Sequence, residues 1–134
     1  MSAVEIFSPK DGRTPVVVLI VEDERVSRKA LATLLAASGY QAEAVESAEA
    51  AMRVLDEGHH PVAAVVDLDL PGMSGAEFIQ KLQEISPQVK PVLVTAASSE
   101  RIEPLLRRRR LAYLRKPIDF SDLLSILGSV EQTQ

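Results

Sequence analysis

The sequence predicts an α/β domain built on a parallel, doubly wound sheet, and two observations lead to this prediction. Short apolar runs alternate with segments whose apolar residues recur at helical spacing, from residue 16 to about residue 131. The run VVVLIV at 16–21 is also apolar without interruption, which is typical of a strand covered on both faces. Because strand–helix alternation leads to parallel pairing through right-handed crossovers, we expect a three-layer domain.

The elements can be placed in order along the chain. Residues 1–15 contain Pro9, Gly12 and Pro15 and are expected to be a flexible leader, ahead of one folded domain at 16–131. Strands are expected at 16–21, 40–45, 62–66, 91–94 and 111–114. Helices with one apolar face are expected at 25–38, 47–57, 77–86 and 119–130. Such units predict a (βα)5 domain with a parallel five-stranded sheet of flavodoxin-like order, 2-1-3-4-5.

The fourth of the five predicted helices, between the last two strands, should be unusual. Pro104 has no amide hydrogen and is tolerated only in the first turn of a helix. Since the next strand begins near residue 111, we expect this helix to be short or irregular. Four arginines at 107–110 follow, and consecutive helical positions point around most of the circumference. They are either a solvated helix end or a contact for an acidic partner or nucleic acid.

Composition excludes several classes of protein. The 134-residue chain has no cysteine, which rules out disulfides and thiolate metal sites. No stretch approaches the roughly 18 apolar residues of a membrane helix, and the first residues lack the apolar run of a secretory signal. A net charge of −4 argues against nucleic acid as the primary partner. We therefore expect a cytoplasmic domain that binds neither membrane nor, directly, nucleic acid.

Polar residues follow the predicted strands at the point where each strand ends. They are Glu22, Asp23, Asp67, Thr95 and Lys116. Ligands of doubly wound sheets bind beyond the carboxyl ends of the strands, so these side chains should share one crevice. Three clustered carboxylates require a cation, and Mg²⁺ prefers such oxygen ligands, whereas zinc would favour histidine or cysteine. With Asp67 as a nucleophile, the set could position and neutralise a phosphoryl group in transfer.

Four strings of the sequence resemble the signatures of response-regulator receivers of bacterial two-component systems, the family of the chemotaxis regulators. They are VLIVEDE at 18–24, VVDLDLPGMSG at 65–75, PVLVTAAS at 91–98 and YLRKP at 113–117. The resemblance implies that Glu22 and Asp23 hold Mg²⁺ and that Asp67 is the phosphoacceptor. It also implies that the backbone carbonyl of Asp69 is a further ligand of the metal.

The same resemblance assigns the remaining site residues. Thr95 matches the switch hydroxyl, Tyr113 the switch aromatic, and Lys116 the lysine of the phosphorylation site, often followed by a cis bond to proline. The expected partner is a histidine kinase or phosphotransfer protein. An output domain or a second copy would use the face of the fourth helix, fifth strand and fifth helix. Such a domain catalyses its own phosphorylation and slow dephosphorylation and is not a turnover enzyme.

Several alternatives stay open at this point. Asp67-Leu68-Asp69 also resembles the motif of haloacid-dehalogenase phosphatases, although their acidic pair comes late in the chain. A receiver-like module that never accepts phosphate and a flavin-binding domain are further possibilities. Tyr113 could simply be a core residue, and His59 and His60 could complement the dipole of the preceding helix. The sequence does not distinguish a complete single-domain regulator from part of a longer protein.

Overall fold

The computed structural model describes residues 4–10, 14–96, 104 and 111–132. Within them, the sheet has six strands: β1 (Glu5–Phe7), β2 (Val16–Val21), β3 (Tyr40–Val45), β4 (Ala63–Asp67), β5 (Lys90–Thr95) and β6 (Ala112–Arg115). The helices with described bounds are α1 (Arg25–Ala37), α2 (Ala48–Asp56), α3 (Gly75–Ile85) and the last helix (Phe120–Gln132). The prediction of a short or irregular helix before β6 and the interpretation of the four arginines at 107–110 lie outside the described residues.

The strand order is β1-β3-β2-β4-β5-β6. The five strands from β2 onward are parallel and keep the predicted order, in which the chain first moves to β3 on one side of β2 and then to β4 on the other. The expected α/β fold is therefore confirmed, and each predicted strand or helix that falls within the described residues has bounds within two residues of those observed. Helices α1 and α2 are each followed by a glycine with positive φ, Gly39 at 99° and Gly58 at 90°, a conformation that commonly ends helices.

One strand was missing from the sequence prediction. The sequence predicts a flexible leader at 1–15 and a five-stranded sheet, but Glu5–Phe7 pairs antiparallel with β3 and forms an edge of the sheet. Phe7 packs partly buried against the core, whereas Ile6 is 53% exposed. A strand of three residues with one inward aromatic is too short to produce a recognisable alternation. The five-stranded expectation is corrected to six.

Two apolar layers cover the two faces of the sheet because neighbouring strand residues point to opposite sides. On one face, Leu19 and Leu93 pack with Phe78 of α3. On the other, Ile20 packs with Leu35 of α1 and Leu127 of the last helix. The central strands β2 and β4 are buried on both sides over most of their length, which explains their apolar sequences VVVLIV and AAVV. No helix in the described part of the chain has the length and apolar character needed to cross a membrane.

Candidate functional site

The register of the parallel strands brings the predicted residues to one edge of the sheet. Val21 of β2 pairs with Val66 of β4, so the next residues along each strand, Glu22 and Asp67, are neighbours. Asp67 pairs with Val94 of β5, and Thr95 at the end of that strand pairs with Arg115. The strands thus place Glu22, Asp67 and Thr95 side by side, with Lys116 directly after β6.

Three carboxylates converge at this edge. Glu22, Asp23 and Asp67 each offer an oxygen, and these oxygens all lie within 4.8 Å of one another. Glu22 and Asp67 are buried, with 6% and 7% of their surface exposed, while Asp23 is exposed. Among the described residues this is the one group of three or more acidic or imidazole side chains close enough to hold a metal ion. Oxygen donors at such spacing suit Mg²⁺, whose ligands lie about 2.1 Å from the ion.

Lys116 links two of these carboxylates. Its Nζ donates to Oε1 of Glu22 at 2.8 Å and to Oδ2 of Asp67 at 3.1 Å. Burial raises the pKa of Glu22, and the charge of Asp67 adds to this effect, although hydrogen bonds from Lys116 and the Glu24 amide oppose it. Burial of Lys116 favours the neutral amine, but the hydrogen bonds from Nζ to both carboxylates outweigh it and raise the pKa of Lys116. The pocket therefore contains an ammonium at neutral pH.

The Asp67 carboxylate is held by both of its oxygens. Oδ1 accepts a hydrogen bond from the Asp69 amide at 3.0 Å, and Oδ2 accepts from Lys116. The Asp69 side chain is exposed and is not part of the acidic group, and the hydrogen bond to Asp67 comes from the Asp69 backbone amide. The arrangement leaves Asp67 oriented at the mouth of the site rather than packed in hydrocarbon.

Two glycines and one glutamate shape the loop between β4 and α3. A Cβ atom at Gly75 would overlap the carbonyl oxygen of Asp67 and lie 2.8 Å from Cα of Leu68, so the start of α3 packs directly on the chain that carries Asp67. Gly72 has a φ of 72°. Oε2 of Glu49 accepts the Met73 amide at 3.0 Å, which lowers the pKa of Glu49. The roles of Glu49, Gly72 and Gly75 were not predicted from the sequence, although a glycine in the first helical turn signals close backbone packing.

The two predicted switch residues lie on adjacent strands. Thr95 is fully buried at the end of β5, and its carbonyl accepts the Lys116 amide at 2.9 Å. Tyr113 is half-buried on β6, pairs in register with Leu93 and packs against the core on the α3 side. The peptide bond between Lys116 and Pro117 is cis, as the resemblance to receivers implies.

His59 has a more specific contact than the helix-dipole interpretation predicts. Its Nδ1 lies 2.8 Å from Oε1 of Glu43, a buried carboxylate of β3 that also accepts from Gln41 at 3.0 Å. The His59 amide also donates to the Val54 carbonyl near the end of α2, at 3.3 Å. The ring therefore satisfies a buried acid, and sequence spacing could not show this because the partners are 16 positions apart.

A profile of the family described as "Response regulator receiver domain" matches residues 18–128. The chain belongs to the response-regulator receiver family. It is 35% identical over 115 residues to the two-component response regulator PhoP of Pseudomonas aeruginosa, covering 84% of this chain and 50% of PhoP. It is 34% identical over 119 residues to the two-component response regulator ORR6 of Oryza sativa subsp. japonica, covering 84% of this chain and 69% of ORR6.

A solved structure supports the same assignment. The CheY-like receiver domain protein of Methanospirillum hungatei superposes with a TM-score of 0.80 at 26% identity, covering 89% of this chain and 96% of that one. This receiver domain therefore works in two-component signalling and has the fold of that family. Its acidic pocket could hold a metal ion. The chain spans about half of the length of PhoP.

Proposed function

We propose that Asp67 of this receiver accepts a phosphoryl group from a histidine kinase or phosphotransfer protein in a Mg²⁺-dependent reaction. The observation that carries the proposal is the convergence of Glu22, Asp23 and Asp67 beside the Lys116 ammonium. A buried nucleophile with fixed orientation, three oxygens suited to a divalent cation and one ammonium group are the parts that phosphoryl transfer needs.

The reaction is a displacement at phosphorus. An oxygen of Asp67 attacks the phosphoryl group of a phosphohistidine, an O–P bond forms and the N–P bond breaks. The imidazole nitrogen of the donor leaves with the electron pair and takes up a proton, and Asp67 becomes an acyl phosphate. Water later attacks the phosphorus atom of the acyl phosphate, the aspartyl O–P bond breaks, inorganic phosphate leaves and the carboxylate is restored. The domain thus catalyses changes in its own phosphorylation and is not a turnover enzyme.

The residues around Asp67 have distinct tasks in this proposal. Glu22, Asp23, Asp67 and the backbone carbonyl of Asp69 would hold Mg²⁺, which would neutralise charge on the phosphoryl oxygens when bound. Lys116 donates a hydrogen bond to Asp67 in the unphosphorylated domain. After phosphorylation its ammonium group would donate to an oxygen of the phosphoryl group instead.

The signal would start at Thr95, because its hydroxyl lies on the strand next to Asp67. A phosphoryl oxygen on Asp67 would attract this hydroxyl through a charge-assisted hydrogen bond. Tyr113, which is half-buried on the neighbouring strand, would then change its packing and alter the face that an output domain or a second copy contacts. A cytoplasmic location is part of the same proposal.

Mass spectrometry after incubation with acetyl phosphate tests the chemistry. We expect a gain of one phosphoryl group with Mg²⁺ and none with EDTA. Asp67→Asn should abolish the gain because an amide is not a nucleophile for this reaction. Asp69→Asn is a matched control, since Asp69 is an acid two residues later whose side chain lies outside the acidic group, and it should retain labelling.

The outcomes separate the proposal from its rivals. Labelling that persists in Asp67→Asn would assign the acceptor to another residue. Absence of labelling in the parent chain, with both acetyl phosphate and a phosphorylated histidine protein, would favour a receiver-like module that does not accept phosphate. Continuous release of inorganic phosphate from a phosphomonoester would favour a phosphatase.

A further inference from the structure

The segment that carries the acidic pair leaves two backbone carbonyls outside regular structure. The amide of Glu22 donates to Val45 of β3 at 3.1 Å, which ties the segment to the sheet. Helix α1 begins at Arg25 with Glu24 as its N-cap, and the first amide of the helical ladder, that of Arg28, reaches only the Glu24 carbonyl. The carbonyls of Glu22 and Asp23 therefore receive no helical amide, and the first of them belongs to a buried residue.

Arg28 supplies the missing donors. Its Nη1 donates to the carbonyl of Glu22 at 3.0 Å and to that of Asp23 at 3.2 Å. The side chain lies on the buried face of α1 and is only 10% exposed. A guanidinium offers several N–H groups in a fixed plane, which suits simultaneous contact with two neighbouring carbonyls. The carboxylates of Glu22 and Asp23 thus project from a backbone that is fixed on both sides.

The edge strand holds the other side of the guanidinium. Nε of Arg28 lies 3.7 Å from Oε1 of Glu5, whose side chain is 48% exposed. Glu5 pairs in register with Ala44 of β3, one residue before the Val45 carbonyl that accepts from Glu22. Strand β1 therefore reaches the same corner of the sheet as the acidic pair.

We propose that Arg28 is a positioning residue for the cation-binding pair Glu22 and Asp23, and that Glu5 of β1 helps to hold its guanidinium in place. The proposal rests on the proposed function, because it concerns the same metal site. Geometry and charge act in opposite directions here. The positive charge of Arg28 repels a divalent cation, whereas its hydrogen bonds fix the two residues that would bind the cation.

This opposition makes the direction of a measured change informative. The probe is Mn²⁺, a paramagnetic divalent cation that binds oxygen ligands, titrated into the chain and followed by electron paramagnetic resonance of the free ion. In Arg28→Met, removal of a positive charge alone would strengthen binding. We expect instead that Mn²⁺ affinity falls about tenfold, as is typical when the support of a metal ligand is lost. Affinity that is unchanged or stronger in this variant would overturn the proposal.

Three further variants complete the experiment. Arg25→Met removes an equal charge from an exposed arginine three residues earlier, and its affinity should stay within about twofold of the parent because exposed charges are screened. Arg28→Lys keeps the charge but has only one nitrogen for both carbonyls and Glu5, so it should restore part of the affinity. Glu5→Gln should weaken binding by about twofold, since the ion pair is half-exposed.

Folding and metal binding are measured separately. Urea unfolding in EDTA shows whether each variant is folded at the titration temperature. If Arg28→Met is unfolded at that temperature, the Mn²⁺ affinity of Arg28→Lys tests the positioning role instead. If Arg28→Lys binds Mn²⁺ like the parent while Glu5→Gln also has no effect, the positioning role is wrong but the metal site stands. If the parent chain binds no Mn²⁺, the metal site of the proposed function itself is wrong.

Discussion

Replacing Gly75 by alanine should disturb the acidic pocket, because the added methyl group would overlap the backbone of Asp67. Gly75 is the first residue of α3, and its amide donates to the Leu68 carbonyl at 3.1 Å. An added Cβ would overlap the Asp67 carbonyl oxygen and lie 2.8 Å from Cα of Leu68 and 2.9 Å from the carbonyl carbon of Asp67. All three are backbone atoms, so rotation of a side chain cannot relieve the overlap.

The expected loss of stability can be estimated from these contacts. Non-bonded carbon atoms prefer separations of about 3.5–4.0 Å, so α3 or the end of β4 must move by roughly 0.7 Å or more. Overpacking of this kind costs about 1–3 kcal/mol. With several backbone contacts we take the upper end, about 3 kcal/mol, and alanine recovers up to about 1 kcal/mol through its higher helix propensity. The free energy of unfolding should therefore fall by about 2 kcal/mol.

The displaced atoms belong to Asp67, so the variant should also affect the chemistry. A shift of about 1 Å in a reacting group can reduce a rate by about 100-fold, and we expect slower labelling by acetyl phosphate on this scale. Urea unfolding in EDTA gives the stability, and the time course of labelling by mass spectrometry gives the rate. Both are measured at a temperature at which the variant is folded.

Gly128 provides a matched control. It lies inside the last helix, and a Cβ there would meet no atom within 4 Å. Gly128→Ala should raise the free energy of unfolding by about 0.5–1 kcal/mol and leave labelling unchanged. If Gly75→Ala unfolds within about 0.5 kcal/mol of the parent and is labelled at the parent rate, the close packing of α3 on Asp67 is refuted.

Two further predictions concern stability. Tyr40→Phe removes a 2.9 Å hydrogen bond to Glu131 and should cost about 1 kcal/mol at pH 8 by urea unfolding. Burial, together with the bond and charge of Glu131, raises the pKa of Tyr40 to about 12, above the value of about 10 in an unfolded chain. The contribution is therefore complete below pH 10 and is lost as the pH rises towards 12, so a difference between parent and variant that persists at high pH would contradict it. Phe7→Ala should cost about 1–2 kcal/mol because Phe7 is half-buried against the core, whereas the half-exposed Ile6→Ala should cost less; equal losses would argue against the observed orientation of β1.

The sequence predicts the parallel sheet and the site for the same reason. A strand covered on both faces must be apolar throughout, so the first polar residue after each run marks the end of the strand. Glu22, Asp67 and Thr95 were found in this way, whereas Lys116 follows Arg115 at the end of β6, and strand register brings the four residues together. The end of α1 also has a local chemical cause, because Gly39, which follows its C-cap, adopts a positive φ.

Other features depend on contacts that local sequence patterns do not record. Strand β1 is too short to show an alternation, and the partner of His59 is a strand residue that only the folded sheet brings near. Arg28 carried a weak signal, because an arginine occupies the apolar face of α1 three residues before Leu31. Its targets, two backbone carbonyls, have no signature in the sequence. The support of the site was therefore harder to predict than the site itself.

The ion pair between Lys116 and Glu22 joins residues that are 94 positions apart, so the ribosome synthesises the acid well before its basic partner. Both acids of the pair and Asp67 leave the exit tunnel long before their ammonium partner does. A nascent chain that ends before β6 would contain the carboxylates without Lys116, and without the strand that places it. Synthesis of nearly the whole domain is therefore required before the site can be charge-balanced.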